Sequence, residues 1–271
     1  MPRQSNSTET LEAWIGRTRE TRDIVDPWPV AALLAALDRE PVALHAGAEV
    51  PEFAHWLYFR EAARWSELGP DGHPVRGGFL PPVELPLRMW AGGELVCRRP
   101  LRVGEPIVRS SRIEAVEAKE GSTGPLIFIT VRHAISDSGG ACLTERQDIV
   151  FRERGLSQAR RHEPPKGEPE WRRTVTPDPV LLFRYSALTY NGHRIHYDRT
   201  YATEVEGYPG LVVHGPLVAT LLMDLYRERA GRRVARFSFR AVAPLFDNAP
   251  FTLCGAPDGD GCALWALTPE G

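Results

Sequence analysis

The sequence predicts an α+β chain made of two consecutive halves, each a helix followed by an antiparallel meander. Three observations predict it. Val30, Leu33, Leu34 and Leu37 form an i, i+3, i+4, i+7 stripe, and four glycine-punctuated strand candidates follow between residues 93 and 152. Residues 154–175 then turn charged and proline-rich, which reads as a linker. After it, Pro216–Arg229 carries Leu217, Leu221, Leu222 and Leu225 on one helical side, and three more strand candidates follow.

Taken in order, residues 1–7 form a polar tail. Leu11, Trp14 and Ile15 give Thr8–Arg19 helical spacing. Asp26 is placed to cap a helix that starts at Pro27 and ends near Glu40, because Pro41 cannot continue it. Residues 66–88 hold so much glycine and proline that they read as a long surface excursion, a kind of loop that often carries function. The first meander comprises Gly93–Arg98, Ile107–Glu117, Leu126–Ser136 (Ile127, Ile129, Val131 and His133 on one face) and Cys142–Arg152. In the second half, Asp178–Ala187 opens a new ordered unit. The helix Pro216–Arg229 follows, then strands at Arg233–Val242, Pro250–Cys254 and Ala263–Leu267. The expected division is 1–153 for the first half, 154–175 for the linker and 176–271 for the second half.

The 271 residues, 42% apolar and 25% charged, suffice for a sizeable core. A net charge of −2 gives no field that would recruit nucleic acid or an anionic membrane. Apolar runs such as Pro125–Val131 and Leu217–Leu222 fall far short of the ~20 residues of a membrane span. The first ten residues carry no apolar signal core, so a cytoplasmic protein is expected. Cys97, Cys142, Cys254 and Cys262 show no CxxC spacing and are expected as free thiols, although Cys254 and Cys262 flank a turn that could set them facing each other.

The densest run of polar and aromatic residues is FRYSALTYNGHRIHYD, Phe183–Asp198, with Asn191, His193 and His196 inside it. A second motif, GYPGLVVHGP, covers Gly207–Pro216 and sets Gly215 directly before a proline-started helix. Together these motifs resemble the MaoC-like, or R-specific enoyl-CoA hydratase, superfamily. The closer resemblance is to its 3-methylfumaryl-CoA (mesaconyl-CoA) hydratases and mitochondrial-type 3-hydroxyacyl-thioester dehydratases. It extends through Arg76–Leu95 and Arg240–Phe246.

The resemblance implies a double hot-dog fold with one active site between the halves. It also implies a hydro-lyase that adds or removes water at an enoyl-CoA thioester. His196 falls on the family's catalytic histidine, Asn191 on its catalytic aspartate and His193 on its asparagine. Further, the resemblance implies a strand beyond the Leu264–Ala266 segment. This chain stops at Gly271, so a clipped end and an exposed sheet edge are expected.

Such chemistry needs a group to move the water and α-protons, and donors for the enolate oxygen that forms on the thioester. His196 suits the first task, since imidazole titrates near ~6.5. Backbone N–H groups near Gly215 suit the second. An amide at Asn191 cannot accept a proton. Either His196 carries the proton transfers while Asn191 orients water, which is the preferred reading, or a carboxylate such as Asp198 or Glu204 supplies the base.

His214, Tyr190 and His193 are candidate pocket residues. Arg184, Arg194 and Arg240 are candidates for a substrate carboxylate or CoA phosphates. Trp90 and Pro81–Pro82 are candidates for the acyl pocket. His193 and His196 form HxxH, but no third ligand of suitable spacing accompanies them, so no metal is expected. The expected partner is a small acyl-CoA substrate, with no cofactor beyond it, no nucleic acid and no membrane; a homodimer is compatible. Two rivals stay open: a 3-hydroxyacyl dehydratase acting on carrier-protein or CoA thioesters, and a hot-dog protein that binds acyl thioesters without turning them over.

Overall fold

The computed structural model describes residues 11–40, 42–121, 124–154 and 168–271. The polar tail and the main part of the expected linker lie outside them. The first strand, β1 (Thr18–Ile24), falls at the end of the expected helix Thr8–Arg19; of that helix only Leu11 and Glu12 are helical among the described residues. The sequence TRETRDI hid this strand because none of its residues is buried. It is an edge strand, paired with β3 from Thr18–Arg112 to Ile24–Pro106.

Helix α1 (Pro27–Ala36) is capped as expected: the Asp26 carboxylate accepts from the Trp28 N–H at 2.7 Å. It buries Val30, Leu33 and Leu34, worth roughly 1.5–3 kcal/mol each. A 3-10 helix at Glu52–Leu57 and the long excursion lead into β2 (Leu87–Cys97), β3 (Pro106–Gly121), β4 (Gly124–Asp137) and β5 (Gly140–Arg152). β3, β4 and β5 run one to a few residues past the expected bounds into their turns, and β2 starts at Leu87, six residues before the expected Gly93. Along β4 the residues Ile127, Ile129, Val131, His133 and Ile135 are all buried, which is the predicted face.

The last five residues of the expected linker, Trp171–Val175, are strand β6. The second half continues with α2 (Pro179–Thr189), α3 (Gly215–Ala230), β7 (Arg236–Arg240), β8 (Phe251–Asp258) and β9 (Gly261–Leu267). One sheet has the order β1-β3-β4-β5-β2-β7 and the other β6-β8-β9. The halves therefore do not own separate sheets: β7 of the second half pairs with β2 of the first. Cys254 lies opposite Trp265, and Cys262 opposite Pro257, so the two thiols do not face each other; all four cysteines are free.

Ion pairs bind the halves together. Arg39 meets Asp224 and Glu228 of α3, each at 2.5 Å, and the buried Glu52 carboxylate accepts from Arg227 at 2.6 Å and Arg233 at 2.9 Å. One core cluster runs through both halves, from α1 to α2, α3 and β8. Among the described residues no helix is long and apolar enough to cross a membrane.

Candidate active site

Helix α2 positions the first motif. Asp178 caps it by accepting from Leu181 N–H at 2.7 Å, and Tyr190 ends it in the left-handed region, at φ 53°. The chain then turns sharply. Asn191 Oδ1 accepts from the His193 N–H at 3.0 Å, and a 3-10 turn at Arg194–His196 carries His196 inward. A single π-helical turn at Tyr201–Val205 follows, a local irregularity common at functional sites.

Four imidazoles stand in file. His73 and His193 have ring centroids 4.4 Å apart, His193 and His196 5.5 Å, and His196 stacks on His214 at 3.6 Å. His193, His196 and His214 are each at least nine-tenths buried. His196 Nδ1 is 2.7 Å from the Val212 carbonyl oxygen. A carbonyl only accepts, so Nδ1 carries the proton and Nε2 is left with its lone pair. Burial first, then the neighbouring His214, holds His196 well below its usual titration range, so it is neutral at ordinary pH. Burial likewise lowers His214 to about 3. His214 Nε2 lies 2.8 Å from Ser186 Oγ, on α2.

That contact matters for α3. His214 occupies the N-cap position, but its side chain turns to Ser186, so no side chain caps the helix. The first-turn N–H groups of α3 thus lack the capping oxygen that Asp26 and Asp178 give the other two helices. A methyl group built on Gly215 would meet no atom within 4 Å. The helix terminus accordingly presents backbone donors and a positive dipole end to space not filled by protein.

The first half completes the site through the glycine-rich excursion. Gly72, at φ +88°, packs so closely on Gly192 that a Cβ there would lie 1.9 Å from the Gly192 carbonyl oxygen. Arg194 fastens this contact, its N–H donating to Asp71 O at 2.9 Å and its guanidinium to Pro70 O at 3.0 Å. Asp71 and His73 are thereby brought to the second-half motif. His73 Nδ1 lies 3.3 Å from Asp71 Oδ2. Burial lowers His73 to about 4, against the raising effect of Asp71, while the Asp71 carboxyl, despite burial, is held near 2 by His73. On the other side, His193 Nε2 is 3.5 Å from Glu206 Oε1, a carboxylate only 4% exposed.

Of the two carboxylates named from the sequence, one is hydrogen-bonded elsewhere and the other is exposed. Asp198 accepts from Tyr201 N–H at 3.0 Å and from Arg194 at 2.7 Å, which hold its pKa down, and Glu204 is exposed. Tyr190 is 60% exposed, unlike the buried histidines. Arg194 is committed to Asp198 and Pro70; Arg184 and Arg240 are exposed. Trp90 packs edge-on against Trp56 and Phe239. The donor atoms of Asp71, His73 and His193 lie within 4.8 Å of one another, a grouping able to hold a metal ion that includes His193 but not His196.

Residues 53–247 match the family model for hydroxyacyl-thioester dehydratase type 2. The chain belongs to that family. It is 48% identical to the mesaconyl-C(4)-CoA hydratase of Chloroflexus aurantiacus, over 96% of this chain and 93% of that one. It is 31% identical to the mitochondrial hydroxyacyl-thioester dehydratase type 2 of Schizosaccharomyces pombe, over 78% of each. Among solved structures, a MaoC-like dehydratase from Phytophthora capsici superposes with a TM-score of 0.73 at 14% identity, covering 97% of this chain and 93% of that one. A Mycobacterium tuberculosis protein with a double hot-dog fold superposes at 0.57 and 13% identity, over 97% and 92%. The fold is the double hot-dog, as the resemblance implied.

Sequence reasoning missed Asp71, His73, Ser186 and Glu206. The excursion holding Asp71 and His73 was flagged as a loop of functional length, but no spacing rule connects it with a motif about 120 residues later.

Proposed function

We propose that this hydro-lyase hydrates an α,β-unsaturated CoA thioester whose acyl group is short, branched and dicarboxylic, such as 3-methylfumaryl-CoA. The observation that carries this reading is the 48% identity to a mesaconyl-C(4)-CoA hydratase along nearly the whole of both chains. The geometry supports it.

The thioester carbonyl sits before the α3 terminus, hydrogen-bonded by first-turn N–H groups at Gly215. Asn191, its Oδ1 occupied by the His193 N–H, offers its Nδ2 hydrogens to the water oxygen. Water attacks the β-carbon as its proton passes to His196 Nε2. The π electrons move onto the thioester oxygen, and the enolate collapses as the α-carbon takes the proton back from the imidazolium. Burial favours the neutral ring and so drives the proton back to the α-carbon. Dehydration is the reverse. His193 is oriented by Glu206 and supports the His196 ring edge-on. No step needs a metal or a cofactor other than the CoA ester itself. In this proposal the enzyme works in the cytoplasm on a diffusible substrate.

A second reading, dehydration of a longer 3-hydroxyacyl thioester, is supported by the 31% identity to the mitochondrial enzyme. A panel of enoyl- and hydroxyacyl-CoA esters, followed by the absorbance of the conjugated thioester, decides between them. Turnover confined to long 3-hydroxyacyl esters would remove the dicarboxylic substrate from the proposal.

A further inference from the structure

The loop that carries Asp71 and His73 covers a guanidinium that the chemistry above leaves unused. Arg88, near the start of β2, is the cross-strand partner of Phe151 on β5, so both side chains project from the same face of the sheet. Over the Phe151 ring, 5.2 Å from its centroid, lies the guanidinium of Arg76 from the same loop. Arg76 is held by backbone carbonyls: it donates to the Val83 carbonyl, to Leu85 O at 2.5 Å and to Pro86 O at 2.8 Å. Arg194 is engaged by Asp198 and Pro70. Arg88 is different. It is partly buried, yet among the described residues no carboxylate or carbonyl hydrogen-bonds its guanidinium. The acids whose charge reaches it are Asp71 and Glu61; Asp71 already accepts from the His73 N–H at 3.1 Å and lies 3.3 Å from the His73 ring nitrogen. The positive charge of Arg88 reaches His73, where it opposes protonation.

A partly buried cation whose guanidinium no described anion hydrogen-bonds is costly to maintain unless a further anion completes it. We propose that Arg88 is the specificity residue of the site and receives the free carboxylate of a dicarboxylic monothioester, at the end of the acyl chain remote from the α3 terminus. The inference rests on the dicarboxylic reading given above. It gives the site two poles: helix N–H groups for the thioester oxygen and one guanidinium for the distal carboxylate. A planar, doubly donating group suits that carboxylate better than the point charge of a lysine.

The test compares two esters on the wild-type enzyme, Arg88→Gln and Arg88→Lys: a dicarboxylic enoyl monothioester of CoA and the neutral crotonyl-CoA. Arg88→Gln should lower kcat/KM for the dicarboxylic ester by about 10- to 100-fold, mostly through KM, and leave crotonyl-CoA within about threefold. Arg88→Lys should recover part of the loss. An equal loss on both esters would overturn the inference, because Arg88 would then serve Asp71 and the loop rather than the substrate. If the wild-type enzyme turned over crotonyl-CoA but no dicarboxylic ester, the substrate reading would fall first and this inference with it. A dicarboxylic preference untouched by Arg88→Gln would overturn the inference alone.

Discussion

Gly215→Ala separates the fold of this protein from its chemistry. The glycine opens α3, and an added Cβ meets no atom within 4 Å, so the protein itself has room for the methyl group. Its φ lies outside the left-handed region, so alanine fits the backbone. Stability should hold, or rise by about 0.4–1 kcal/mol as the unfolded chain loses freedom. Catalysis should not hold. The methyl group occupies the approach to the N–H groups that stabilise the thioester enolate, and losing one such donor costs about 10²–10³ in kcat. Thermal melting and steady-state kinetics on one enoyl-CoA ester read both quantities from one preparation. The reasoning is refuted if Gly215→Ala keeps wild-type kcat/KM, which would place the thioester elsewhere. An unfolded variant would equally contradict the open space in front of the helix.

Other outcomes follow from the same site. Glu206→Gln removes the carboxylate beside His193 and should lower kcat about tenfold with little change in KM; unchanged kcat would take Glu206 out of the proton machinery. Folding stability should fall as pH drops from about 6.5 towards 4. His73 and His133, each lowered to about 4, and His214, lowered to about 3, stay neutral in the fold while the unfolded chain protonates. Each such group contributes about 1.4 kcal/mol per pH unit in that window. Urea titrations between pH 7 and 4 that gave a flat stability would contradict this. Prolonged chelation should leave kcat unchanged; activity lost to a chelator and restored by a divalent ion would make Asp71, His73 and His193 a metal centre.

The elements with apolar periodicity were legible in the sequence: the α1 stripe, the Leu-rich face of α3 and the alternating middle of β4. β1 and β6 were not, since TRETRDI and WRRTV are edge segments with no buried residue and so no apolar signal. Within the site, the second-half residues were legible because they are contiguous, and a motif can be read along a chain. Asp71 and His73 reach them through the Gly72–Gly192 contact and the Arg194 bonds to Pro70 and Asp71, a tertiary approach with no local signature. The arginines chosen from the sequence, Arg184, Arg194 and Arg240, are exposed or already paired, whereas Arg88, which no described carboxylate or carbonyl hydrogen-bonds, lies on a strand whose neighbours the sequence does not display.

The central claim is that a neutral His196, its Nδ1 fixed on Val212, moves the protons of water addition. The direct measurement is the rate at which the conjugated absorbance of an enoyl-CoA ester disappears with the wild-type enzyme and with His196→Ala and His196→Gln, both variants checked for an unchanged melting transition. The account predicts a fall of about 10²–10⁴-fold in kcat for both variants. Full activity in either folded variant would contradict it.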